Sequence, residues 1–158
     1  MKTKTYTAQQ FREIATKVGN IYAIESNRCD VTITVESGDE INVCMFGDDD
    51  GFITLDGEGK GSVRREGKCW GGATRSGAGD GDAVFLGFSC ASGSAVRNGS
   101  GHGNAERIGS GYGNAERKGS GNGDALYRCQ GLSTGGKAKH TGSGEGSEYR
   151  YWVKHTFW

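Results

Sequence analysis

Glycine returns every ten residues through the middle of this chain, and that rhythm constrains the fold more than any other feature. The clearest copies are Gly103-Asn-Ala-Glu-Arg-Ile-Gly-Ser-Gly-Tyr, Gly113-Asn-Ala-Glu-Arg-Lys-Gly-Ser-Gly-Asn and Gly123-Asp-Ala-Leu-Tyr. The register runs back through Gly51, Gly61, Gly71 and Gly81. A second column is Gly57, Gly67, Gly77 and Gly87, continued as Gly99, Gly109 and Gly119. The period slips between Gly81 and Gly93 and again between Gly123 and Gly135, as loops inserted in single coils would make it do. Repeats of this length point to stacked coils, in which each unit buries its interior only against its neighbours.

Ten is an even number. Side chains alternate faces along a β-strand, so an even repeat keeps each position on one face in every coil. In one copy Gly109, Gly111, Gly113, Ala115 and Arg117 share a parity, and Ser110, Tyr112, Asn114, Glu116 and Lys118 share the other. The nearly bare parity is expected inside and the polar one outside. Arg117 and its equivalents are then expected at a turn, where the side chain can escape to solvent. The expected fold is mainly β: a glycine-rich solenoid of ten-residue coils, with about ten coils making a rod ~48 Å long at ordinary strand spacing. A bundle of polyproline-like glycine helices needs glycine at every third position, and here it stands at every second.

Composition supports a thin fold. Glycine contributes 30 of 158 residues, proline none, and hydrophobic residues only 34%. Collagen requires abundant proline and a flexible linker requires no period, so both are excluded. Backbone hydrogen bonds must carry much of the order.

Three segments follow. Residues 1–50 resemble a small α+β cap: Thr7 caps a helix with Gln10 as its capping-box partner, Phe11, Ile14, Ala15 and Val18 make its apolar stripe, and Gly19 stops it. Ile21 to Ile24 is a short strand, and the alternation at Val31, Ile33, Val35 and Ile41, Val43, Met45 predicts a hairpin over 31–46. Residues 51–147 are the repeat solenoid. Residues 148–158, rich in aromatics, cap its far end.

Lysine plus arginine and aspartate plus glutamate are each 19, for a formal net charge of zero. That balance argues against nucleic acid or an anionic membrane as partner. Cys29, Cys44, Cys69, Cys90 and Cys129 are odd in number and form no Cys-x-x-Cys pair, so free thiols are expected. The start of the chain has no apolar stretch of signal-peptide type, and no run is long enough to span a membrane. The expected location is a cytoplasm.

Nothing in the sequence assembles a catalytic group. No serine sits in a nucleophile elbow, and His102, His140 and His155 are scattered without ligand partners, so neither metal nor cofactor is expected. The expected partner-binding residues are Arg97, His102, Arg107, Tyr112 and Arg117 on a flat laddered face, with Trp152 and Trp158 in the tail. Tyrosine, tryptophan and arginine are the types that anchor protein interfaces. The same ladders (Asn104, Asn114 and Asp124 among them) are equally what turn backbones need for their own hydrogen bonds.

Gly-Asp-Gly-Asp at 79–82 and Gly-Asn-Gly-Asp at 121–124 resemble calcium-binding β-roll repeats, but those use nine residues and an aspartate where this chain mostly has asparagine or serine. The run Gly-Ser-Gly-Tyr-Gly-Asn-Ala-Glu-Arg resembles the glycine-rich decapeptide repeats of small bacteriophage and prophage proteins. That resemblance implies a non-enzymatic protein acting in the host cytoplasm by binding a macromolecule. Its most concrete form is an inhibitor of host defence, of the anti-CRISPR kind, that occludes a host defence complex. The alternatives are a phage tail or receptor-binding structural part, or an ice- or glycan-binding solenoid.

Overall fold

The structure is a computed structural model, and it describes residues 2–68, 70–87, 92–109, 112–130 and 136–153, without the side chains of 129–130 and 151–153. It is a β-solenoid of about five turns with one short helix near its N-terminus. One sheet holds β1 (Lys2–Thr7), β4 (Cys29–Thr34), β6 (Gly51–Asp56), β8 (Gly71–Ser76), β10 (Gly93–Asn98), β12 (Ala115–Lys118) and β14 (Ala138–Thr141), stacked in that order. The other holds β2 (Thr16–Val18), β3 (Ile21–Glu25), β5 (Asn42–Phe46), β7 (Val63–Gly67), β9 (Ala83–Gly87), β11 (Ala105–Gly109), β13 (Ala125–Gln130) and β15 (Glu148–Val153). We call them the first and second sheets. Every pairing is parallel except β2 with β3.

The solenoid is as expected, but its coil is not ten residues. Ile53 lies beside Ala73 and Val43 beside Val63, so a coil takes twenty residues and spends one decapeptide on each sheet. The reason is steric: a closed coil needs two faces to bury, and a ten-residue copy supplies one strand and one turn. The rod is correspondingly about 30 Å tall at ordinary strand spacing, not 48. The slips in period lengthen single coils between β9 and β10 and between β13 and β14. There Ala83 pairs with Ala105 and Ala115 with Ala138.

The Gly/Ala parity faces inward as expected, and the arginines depart from expectation. Ile53, Ala73, Ala95 and Ala115 point inward from the first sheet, and Val63, Ala83, Ala105 and Ala125 from the second, all fully buried. Alanine facing alanine lets the sheets approach closely, and glycine completes the fit at the corners. A Cβ on Gly81, whose φ is +154°, would overlap the carbonyl oxygen of Gly61 in the coil beneath. Arginine, however, does not escape. Arg65, Arg75, Arg97, Arg107 and Arg117 are each 0–1% exposed, the largest wholly buried side chains among the described residues. Parity already aimed them inward, and the glycine corners leave the room they fill.

The guanidinium groups donate to backbone carbonyls of the turn below them, although the buried Nε of Arg117 has no hydrogen-bond partner among the described residues. Arg75 donates from Nε to Gly61 (2.8 Å) and from Nη2 to Gly59 (2.5 Å), and its Nη1 reaches Leu55, Gly57 and Ser76. Arg97 repeats this on Gly81 (2.8 Å) and Gly79 (2.6 Å). Arg117 donates to Gly101 (2.8 Å). In the second sheet Arg65 takes Gly51 (2.8 Å) and Asp49 (2.7 Å), and Arg107 takes Gly93 (2.8 Å). Burial pulls the Arg97 guanidinium down to about 10, helped by repulsion from Arg75 and Arg117 on either side and opposed by Asp80 and Asp82. It stays charged at neutral pH. The second sheet avoids such repulsion by alternation: its file runs Met45, Arg65, Phe85, Arg107, Tyr127, Arg150. Arg107 lies over the Phe85 ring at 4.5 Å and Arg150 over Tyr127 at 5.8 Å, a favourable cation–π arrangement.

The N-terminal unit differs from the expected cap. Thr7 does cap a helix, and its capping box with Gln10 is complete. That helix, α1 (Ala8–Ile14), ends before Gly19, because the chain turns extended at Ala15. Val18 lies instead on β2, 64% exposed, and Gly19 makes the tight turn to β3 with φ +63°. The segment 31–46 is not a hairpin: β4 pairs with β1 and β6, and β5 with β3 and β7. Alternation identified both strands, but it carries no information about partner or direction. These strands form the widest part of the core, where Val31, Ile33, Val43, Met45, Ile53 and Leu55 pack under Ala8 and Phe11 of α1. Arg12 clamps the helix onto Asp39 at 2.7 Å, and this pairing holds the Asp39 carboxyl below the usual carboxylate range.

Leucine at position 97 fills similar space but leaves the Gly79 and Gly81 carbonyls without a donor. Breaking a buried, charge-assisted set of this kind costs about 3 kcal/mol or more. Arg97→Leu is therefore expected to lower the unfolding free energy measured by denaturant titration by that amount. An unfolding free energy within about 0.5 kcal/mol of wild type, the usual range for an indifferent surface change, would contradict a structural role.

Candidate interaction surface

The sequence-predicted site residues separate on inspection. Arg97, Arg107 and Arg117 are interior, so they cannot belong to an exposed docking face, and that expectation is corrected by their complete burial. Tyr112 is where it was expected, on the surface, 63% exposed. His102 is exposed too, but it is a rung of a turn ladder: its backbone N–H donates to Asp80 at 3.0 Å, and its Nδ1 accepts from the Asn122 N–H at 3.0 Å. Trp152 lies on β15 beside Cys129, with its side chain outside the described residues, as is the whole of Trp158.

The ladders are structural. Asn42, Ser62, Asp82, Asn104 and Asp124 each accept from a backbone N–H one coil further on, at 2.8–3.0 Å. Asp48 and Asp50 accept from Lys68 and Trp70 in the same way. The aspartates that gave the β-roll resemblance are therefore engaged with the backbone. Among the described residues no group of three or more histidine, cysteine, aspartate or glutamate side chains gathers to hold a metal ion.

What the sequence reading missed is the company Tyr112 keeps. Asp50, Trp70, Ser92 and Tyr112 occupy one corner position in successive coils. The carbonyls of the last three accept in turn from Gly51, Gly71 and Gly93. Trp70 is 68% exposed, the most exposed large hydrophobic side chain among the described residues. Beside it on the outer face of the first sheet stands Phe52, 42% exposed, in file with Gly72 and Ser94. Because Gly72 has no side chain, the file is interrupted. The result is a groove of about 310 Å³ walled by Phe52 and Trp70 and lined by Thr74, Ser92, Ser94 and Val96. The next file is Thr5, Thr32, Thr54, Thr74 and Val96, a row of β-branched side chains at strand spacing. Both features were legible: Trp70 and Tyr112 each precede an inward glycine, and the threonines recur in register once the twenty-residue coil is known.

Cys29 and Cys44 are buried free thiols, while Cys69 and Cys90, and the side chain of Cys129, lie outside the described residues. Burial pushes the Cys44 thiol up to about 11, assisted by the nearby Glu66 carboxylate. No helix among the described residues is long and apolar enough to cross a membrane. No protein family, curated protein or solved structure matches this chain.

Two outcomes follow. His102→Ala removes the acceptor for the Asn122 N–H and should cost about 1 kcal/mol in chemical denaturation, whereas His102→Asn preserves it and should restore most of that loss. Equal stability of the two variants would show that the rung carries no weight. For Cys44, a raised folded pKa makes its contribution to stability present below the usual thiol value near 9 and lost as pH climbs toward 11. The thiol should accordingly react with a disulfide reagent at pH 8 only as fast as the protein opens. Immediate stoichiometric labelling of Cys44 in the native protein would contradict its burial.

Proposed function

We propose that this chain is a non-enzymatic binding protein that docks a macromolecular partner, foremost another protein, on the corner formed by Phe52, Trp70 and Tyr112. The observation that carries the reading is the exposure of these aromatics on a β-face whose turns are pinned coil to coil by side-chain-to-backbone hydrogen bonds. Large aromatics on a rigid surface give contact area at low entropic cost, and tryptophan and tyrosine dominate interface hot spots. The decapeptide rhythm and its resemblance to small phage proteins support a phage or mobile-element role, with a host defence complex as the partner and the host cytoplasm as the place of action. A virion structural role is the competing version of the same binding chemistry.

A second reading is favoured by the groove and the threonine file: a glycan, or an ice surface, would meet aromatic walls and a regular row of hydroxyls. A sugar ring stacks on such walls while hydroxyls satisfy its polar edge.

The test uses full-length protein as bait in a bacterial host lysate, followed by measurement of affinity for whatever partner is recovered. Trp70→Ala with Tyr112→Ala should weaken that affinity by about 2 kcal/mol per hot-spot residue, at an unchanged melting temperature, since neither side chain fills the interior. Wild-type affinity in the double variant would move the docking site elsewhere. Saturable binding on a glycan array, or thermal hysteresis in freezing solutions, abolished by Trp70→Ala or Thr74→Ala, would select the second reading.

A further inference from the structure

Three consecutive corners of the first sheet are built alike: a Gly-x-Gly-x-Gly turn with its carbonyls facing the next coil, and an arginine in that coil donating into it. Turn 57–61 receives Arg75, turn 77–81 receives Arg97 and turn 99–103 receives Arg117. Above the next turn, 119–123, His140 pairs in register with Arg117, and its Nε2 lies against Gly146 as Arg117 Nε lies against Gly123, but this buried Nε2 has no hydrogen-bond partner among the described residues. The fifth turn, Gly142-Ser-Gly144-Glu-Gly146, has the same backbone. Gly142 has φ +103°, as Gly119 has +105° and Gly99 +113°, and the Gly144 N–H donates to Gly119 as Gly121 donates to Gly99. Nothing among the described residues covers it. Gly59, Gly79, Gly101 and Gly121 are buried, whereas Gly144 is half-exposed and Gly142 and Gly146 are exposed.

We propose that this open turn, with the free edge of β14 beside it, is a binding site for a guanidinium group presented on an extended segment of a partner protein. The chemistry is set by the interior copies. Carbonyl oxygens fixed on the rigid corner match the donors of an arginine fork, and lysine, a point charge, cannot span them. The recognised segment has a small residue, any residue, arginine, any residue and then glycine, as in Ala115-Glu-Arg117-Lys-Gly119. It adds as a parallel strand on β14, whose outer backbone groups are unpaired among the described residues, in the manner of β-augmentation. A second copy of the chain is a poor occupant through its N-terminal edge, because β1 carries Lys2, Lys4 and Tyr6 and no arginine. Residues 154–158 carry none either.

The test titrates a blocked peptide of residues 113–123 into the isotope-labelled full chain and follows backbone carbonyl and amide shifts. The expected result is saturable change confined to 138–146, at least ten-fold weaker for the peptide with Arg117→Lys and lost with Arg117→Leu. Because only the peptide varies, folding of the protein is not at issue. Absence of saturable change at millimolar peptide, equal affinity of the arginine and lysine peptides, or changes centred elsewhere would each overturn the site. Concentration-dependent burial of 138–146 without peptide would assign the edge to a second copy and overturn the partner segment.

Discussion

The interaction on which this structure depends is the buried arginine fork on backbone carbonyls. A solenoid made of glycine and alanine has too little apolar surface to hold its coils by burial alone, and its tight corners turn carbonyls inward where water does not reach. An inward carbonyl without a donor costs as much as a lost hydrogen bond. Arg75 and Arg97 each donate to glycine carbonyls of the turn beneath and to a backbone carbonyl of their own strand, so one side chain stitches two coils together. Lysine carries its three donors on one nitrogen and cannot span carbonyls spread around the corner, and an aliphatic residue has no donor at all. The charge this places inside is tolerated because carbonyl dipoles and nearby turn aspartates face it, and, in the second sheet, because arginine alternates with Phe85 and Tyr127.

From that interaction the remaining pattern follows. Glycine at the corners is required by the close approach of successive backbones. Alanine between glycine and arginine sets the separation of the sheets. The thicker N-terminal coils add an aliphatic filling, with Ile33, Ile53 and Leu55, and they end under a helix that the repeat itself does not provide. The other end has no equivalent lid among the described residues, which is why the same turn that is internal elsewhere becomes a surface there.

How far the sequence foretold this depends on the kind of information asked of it. Period, parity and the capping box are local, and they located the solenoid, its Gly/Ala interior and the start of α1. The fate of Arg117 is not local. Its parity said inward, while its charge suggested escape, and only the depth of the glycine corner decides between them. The partners of β4 and β5 are likewise non-local, so alternation found the strands and mispaired them. Tyr112 was visible as an exposed aromatic, but its neighbours Trp70 and Phe52 become a surface only when twenty residues, rather than ten, are folded into each coil.

The central claim is that the guanidinium groups are internal hydrogen-bond donors. Arginine Nε–H resonances in isotope-labelled protein test it most directly. Those of Arg65, Arg75, Arg97 and Arg107 are expected to be resolved, shifted by their carbonyl partners and slow to exchange with deuterated water on the timescale of the core amides. Exchange as fast as that of the surface arginines Arg64 and Arg128 would contradict the account, because it would place the repeat arginines in solvent.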